Sequence, residues 1–223
     1  MRIPRSGAPR PTFRLIPSKF PPIGLFDGVA TAADLDAVMD LVGWTNDRLV
    51  SERVARIPMA DRAFGRPNSS VIMASFLHVP LSGAKFNTAD RGAWYASDRI
   101  EAAIAEVGHH MRRETVATGR LDLTRDFRTY KAVLEGRYAD ICGKTAALPD
   151  VYAPHSYTAS QAFGESQRAN GADGILYDSV RYAGVLNAAA FRPRLVTSVV
   201  QTDHYRISVR RDSRRVEASK LNA

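Results

Sequence analysis

Four short segments near the end of the chain, GILYDS (174–179), LNAAAF (186–191), LVTSVVQT (195–202) and HYRISVR (204–210), each read as a β-strand. Together they commit the last third of the sequence to a sheet. The rest of the chain must supply what covers that sheet. The first of the four has an oddity. Its apolar run Ile175-Leu176-Tyr177 belongs in a core, yet it delivers Asp178, Ser179 and Arg181 in quick succession. Polar groups at the end of a buried strand cost free energy unless something satisfies them.

Upstream, TFRLIPSKF (12–20) alternates as a strand interrupted by Pro17 and Pro21-Pro22. TAADLDAVMDLVGW (31–44) predicts a helix capped by Thr31, with Leu35, Val38, Met39 and Val42 on one face, and a second helix is expected over 46–56. SVIMASFLHVPL (70–81) reads as a strand running into the turn SGAKFNTADRG, and GAWYAS (92–97) as another. Ser97 is placed to cap the helix DRIEAAIAEVGHHMRRE (98–114), whose apolar stripe is Ile100, Ala103, Ile104, Val107 and Met111. FRTYKAVLEGRYADI (127–141) suggests one long strand, and SYTASQAFGESQRANG (156–171) a helix stopped by Asn170-Gly171. The fold class is therefore α+β.

At 223 residues the chain can build one sizeable core. Its single cysteine, Cys142, excludes an internal disulfide framework, and no window approaches the ~18 apolar residues of a membrane span. A cytoplasmic location is expected. The net charge of +8 favours an anionic partner, whether nucleic acid, an acidic protein or a phosphate-bearing molecule. Much of the excess lies at the ends, in Arg2, Arg5, Arg10 and Arg14 and in Arg206, Arg210, Arg211, Arg214, Arg215 and Lys220. No phosphate loop, dinucleotide fingerprint, nucleophile elbow or zincin motif is present. His109 and His110 are adjacent on a helix and point ~100° apart, and His78, His155 and His204 are scattered, so metal catalysis is not expected.

Three segments carry more together than apart: FRLIP with Arg14 in a strand; SGAKFNTADRGAWYASDRIEAAIAEVGHH, with Tyr95 at a strand end and Glu106 on the next helix; and DGILYDSVRYAGVLNAAAFRP with Ser179 and Arg181. They resemble the RES-domain family, the toxin halves of bacterial toxin–antitoxin pairs, from about Phe13 onward. Residues 1–11 would then be an N-terminal tail and 12–223 one catalytic domain, with 31–70 as the helical insertion of the longer members. The resemblance implies a compact relative of the ADP-ribosyltransferase fold, with mixed or antiparallel sheets around an NAD cleft and no metal.

By the same resemblance Arg14, Lys85, Tyr95, Ser179 and Arg181 would bind NAD, and Glu106 and Tyr95 would be catalytic. Lys85 stands in GAKFN where the family commonly has arginine. It keeps the charge but loses the planar two-point grip. Cleavage of the nicotinamide–ribose bond builds positive charge on the ribose, which a carboxylate can stabilise. Tyr95 would stack on the nicotinamide, Arg14 would meet the pyrophosphate, and Ser179 would reach the carboxamide or a phosphate oxygen. Arg181 would support the site from behind. ADP-ribose would pass to a protein side chain, phosphate or water. The implied partner is an antitoxin with a helix-turn-helix-like domain, forming a hetero-oligomer and blocking the cleft, and nucleic acid would be reached only through it. Two alternatives stand beside this: a basic nucleic-acid-binding module, and an inactive relative that only binds a partner.

Overall fold

The computed structural model describes residues 2–18 and 48–221. The helix expected over 31–44, the first part of the insertion and the start of the second helix lie outside the described residues.

Among the described residues, nine strands form one mixed sheet in the order β1-β5-β6-β7-β3-β2-β4-β8-β9. They are β1 (Arg5–Ser6), β2 (Thr12–Pro17), β3 (Trp94–Ser97), β4 (Asp122–Leu134), β5 (Tyr138–Asp140), β6 (Gly174–Asp178), β7 (Leu186–Ala190), β8 (Val196–Arg210) and β9 (Val216–Leu221). Every neighbouring pair is antiparallel except β5–β6. The helices are α1 (Arg48–Ala55), α2 (Ser69–Leu77), α3 (Ile100–Thr118), the single turn α4 (Pro149–Tyr152) and α5 (Thr158–Ala169). The α+β class thus takes the form of one large sheet with helices against it.

The core explains why β6 reads as an unbroken apolar run. Ile175 and Tyr177 bury against Phe86, Val151 and Tyr152, while Leu176 buries with Ile72, Phe76 and Trp94. A strand covered on both faces has no polar side to show. The expected stripe of α3 packs on β2, β4 and β8 through Leu15, Phe127, Ile207 and Val209. Each such buried side chain is worth roughly 1.5–3 kcal/mol.

Four expectations are corrected. Residues 69–77 form helix α2, not a strand: Ile72, Met73, Phe76 and Leu77 fall on one helical face and all are buried. A continuous apolar run fits either element, and the core made the choice. The single strand expected over 127–141 is two. Gly136, at φ 102°, turns the chain, and β5 pairs with β1 and β6 while β4 pairs with β2 and β8. Conversely, LVTSVVQT and HYRISVR are one strand, β8. It stays continuous because β4 on one side and β9 on the other both pair with it through His204. Ser97 caps nothing. Arg99 occupies the N-cap of α3, and Ser97 remains on β3.

The N-terminal segment contributes to the sheet as well: Arg5 lies opposite Ala139, and its guanidinium donates to the carbonyls of Asn170 and Gly171.

Candidate active site

A cleft of about 700 Å³ opens beside β3 and α3. Arg14, Lys85, Tyr95, Glu106, Arg181 and Asn187 line it. Ser179 sits at the end of β6, only 8% exposed, and reaches the cleft through Glu106.

The carboxylate of Glu106 is held on one oxygen. Ser179 Oγ donates to Glu106 Oε1 at 3.1 Å, and Asn187 Nδ2 donates to the same oxygen at 3.0 Å. Each donor is fixed in turn. Ser179 Oγ accepts the backbone N–H of Arg181 at 3.2 Å and of Tyr182 at 3.1 Å. Asn187 Oδ1 accepts the hydroxyl of Ser97 at 2.6 Å. That bond sets the amide so that its NH₂ faces Glu106. Among the described residues no hydrogen bond reaches Glu106 Oε2.

Within the polar cluster after β6 the protein itself supplies partners for Asp178 and Ser179, while Arg181 Nε is buried without a hydrogen-bond partner among the described residues. Asp178 accepts the N–H of Gly143 at 2.7 Å and the hydroxyl of Tyr152 at 3.2 Å. Arg181 Nη2 lies 3.0 Å from His109 Nε2. Burial, and then the neighbouring Arg181, pull the His109 imidazole down to about 4, so near neutral pH its Nε2 accepts from the guanidinium. The Ser179 hydroxyl, expected to reach the carboxamide or a phosphate oxygen, donates here to Glu106.

Tyr95 is on β3 with its hydroxyl committed. It donates to Asn87 Oδ1 at 2.7 Å and accepts the N–H of Phe86 at 2.9 Å, pinning the GAKFN turn to the sheet. Burial pushes its ionisation well above the ordinary tyrosine value. The ring still lines the cleft. The turn is also pressed by α5, whose Gly164 sits against the Phe86 carbonyl where a Cβ would collide.

Lys85, at the tip of that turn, has its ammonium 5.6 Å, 5.9 Å and 5.8 Å from the ring centroids of Phe86, Tyr152 and Tyr157. Ring faces attract a cation at such distances. Burial lowers the ammonium below the ordinary lysine value; Glu106 opposes that effect and Arg181 adds to it.

Strands β2 and β3 pair only at Phe13 and Ser97. Next to that pair, Arg14 Nη1 donates to the Tyr95 carbonyl at 3.2 Å, and the guanidinium lies 4.8 Å from the Trp94 ring centroid. Burial brings it down to about 10, and its Nε is buried with no hydrogen-bond partner among the described residues. A cation so withdrawn from water favours an anion beside it.

Asn187, Tyr157 and His110 also line the cleft and were not singled out from sequence. Asn187 had a visible signal, a lone amide in the otherwise apolar run LNAAA. His110 lies four residues after Glu106, on the same side of α3.

Three comparisons bear on this arrangement. The family model of the RES domain matches residues 53–210. That span holds Lys85, Tyr95, Glu106, Ser179, Arg181 and Asn187, whereas Arg14 precedes it. The chain is 26% identical over 200 residues to the uncharacterized protein y4oC of Sinorhizobium fredii, covering 87% of this chain and 80% of the relative. The crystal structure of the M. tuberculosis MbcT–MbcA toxin–antitoxin complex includes a chain that overlays with a TM-score of 0.45 at 14% identity, over 89% of this chain and 87% of that one.

Proposed function

The chain belongs to the RES-domain family, and from that premise we propose that it is the toxin of a toxin–antitoxin pair that cleaves NAD at the nicotinamide–ribose bond and passes ADP-ribose to an acceptor. The observation that carries this reading is the posture of Glu106. One carboxylate oxygen is tied down by Ser179 and Asn187, and the other is left to the cleft.

As the glycosidic bond breaks, its electron pair leaves with the pyridine nitrogen and nicotinamide departs neutral. The ribose carbon becomes cationic. A carboxylate already oriented toward it stabilises that charge without having to reorganise. The free oxygen of Glu106 serves here, and it can hydrogen-bond a ribose hydroxyl more tightly as the charge grows. Arg14 and Lys85 take the pyrophosphate, and the Tyr95 ring bounds the nicotinamide. Ser179 and Asn187 position Glu106 and do not touch the substrate. An acceptor entering from the open side, a protein side chain, phosphate or water, attacks the ribose carbon and completes the transfer.

The proposed partner is an antitoxin that covers this cleft. Of the C-terminal basic residues, Arg206, Arg210, Arg215 and Lys220 each pair with a neighbouring acid. The charge left to steer an acidic partner segment therefore rests on Arg211 and Arg214.

The test is nicotinamide release by the purified chain incubated with NAD, in parallel reactions with phosphate, without it, and with cell extract. Glu106→Gln should lower the rate by roughly 100-fold or more. The reading is overturned if the native chain releases nothing in any reaction, or if the variant keeps full activity.

A further inference from the structure

A second cavity, of about 230 Å³, shares no lining residue with the cleft. Ile57, Phe76 and Phe191 give it apolar walls, yet three arginines, Arg91, Arg168 and Arg192, line it with a single acidic residue, Asp61.

The ionic groups do not balance. Arg168 has a side chain only 9% exposed, lies 4.4 Å from the Phe191 ring centroid, donates Nη2 to the Gly92 carbonyl at 3.2 Å, and sits 3.6 Å from Glu165. Its Nε is buried and makes no hydrogen bond among the described residues. Arg192 lies 3.4 Å from Asp173 and 3.9 Å from Asp61, but Asp61 is claimed more closely by Arg194 at 2.9 Å. Glu165 and Asp173 are further engaged by the backbone N–H groups of Thr88 and Arg137. Four arginines thus meet three carboxylates. Arg91 is left over, with no hydrogen bond or ion pair among the described residues. Burial, Glu165 opposing, and the like charge of Arg91 bring the Arg168 guanidinium down to about 10. Uncompensated like charges beside an apolar wall are costly, and an anion between them removes the cost.

We propose that this cavity binds a small phosphate-bearing molecule, its phosphate gripped by Arg91, Arg168 and Arg192 and its organic part against Phe76 and Phe191. Planar guanidinium forks match phosphate oxygens two at a time. The volume falls below the ~300 Å³ at which sites for drug-sized ligands begin, which favours a compact ester or phosphate itself over a peptide.

Calorimetric titration of the full chain with inorganic phosphate and with phenyl phosphate, both without NAD, tests this. Saturable binding is expected for both, tighter for phenyl phosphate; equal affinity for the two would overturn the placement of an organic part against Phe76 and Phe191. Arg91→Gln should weaken it on the order of tenfold or more, as loss of a charged hydrogen-bond donor does. Arg91→Lys, which keeps the charge without the fork, should fall between. Nicotinamide release by both variants should remain that of the native chain, so failure here is separable from failure of the NAD reading. The proposal is overturned if no saturable binding occurs, if both Arg91 variants bind like the native chain, or if Lys85→Ala abolishes binding and so places the phosphate in the cleft.

Discussion

Ser179 donates its hydroxyl to Glu106 across 73 residues of sequence, at 3.1 Å, and in doing so fixes which oxygen of that carboxylate is free. Asn187 binds the same oxygen from β7. The two donors act on one atom, so they are expected to behave as a unit. Ser179→Ala and Asn187→Ala should each lower kcat by roughly tenfold while leaving the KM for NAD nearly unchanged, and the double variant should lose less than the product of the two. A steady-state double-mutant cycle reads this directly. A rise in KM with kcat unaltered would mean that these residues hold substrate rather than orient Glu106.

Lys85 offers a pH signature. Its ammonium, depressed by burial, should lose its proton below the 10.5 of a free lysine. The KM for NAD should then climb as the pH rises into the alkaline range, because the cation facing the pyrophosphate disappears. Lys85→Arg, which stays charged and restores a two-point grip, should abolish that climb and lower KM at every pH. Initial rates from pH 7 to 9, below the value of about 10 to which burial brings Arg14, distinguish the two enzymes.

How far the sequence reached depended on whether the deciding contact was local. Helix α3 was legible from its side-chain period, which matches the face that the core covers, and strands β3, β6 and β7 from short apolar runs whose assignment the core upheld. Helix α2 was not. Its run of apolar residues fits a strand equally well, and only the contacts of Ile72, Met73 and Phe76 with distant elements decide between them. The split between β4 and β5 turned on the backbone of Gly136, and the unity of β8 on pairing with β9. The cleft residues Arg14, Lys85, Tyr95, Glu106 and Arg181 were each named from sequence through a family resemblance. Their couplings were not, since the Ser179–Glu106 and Ser97–Asn187 bonds join elements far apart in the chain.

His109 makes folding stability sensitive to acid. Its pKa is about 4 in the folded chain against 6.5 for an ordinary histidine. Between those values the unfolded chain takes up a proton that the folded chain refuses, so stability falls as the pH falls through that window and levels off beneath it. Allowing for its solvent-exposed part, the loss should be on the order of 1–2 kcal/mol. His109→Gln keeps an acceptor for Arg181 but does not titrate. Thermal melts at pH 7 and pH 4.5 should show a smaller drop in Tm for this variant than for the native chain, and equal drops would assign the acid sensitivity to other groups.

The turn that carries Lys85 depends on one close approach. Gly164 on α5 lies against the Phe86 carbonyl, and a methyl group at that position meets backbone, which cannot swing aside as a side chain can. Gly164→Ala should therefore force α5 and the turn apart, shifting both. It should cost about 2 kcal/mol, as overpacking in a filled interior does, and lower Tm by roughly 4–8 °C. The displacement would also carry Phe86 and Asn87 away from the Tyr95 hydroxyl that binds them. So the KM for NAD should rise even at temperatures where the variant is fully folded. A variant that melts early but binds NAD normally would show that the turn keeps its place without α5.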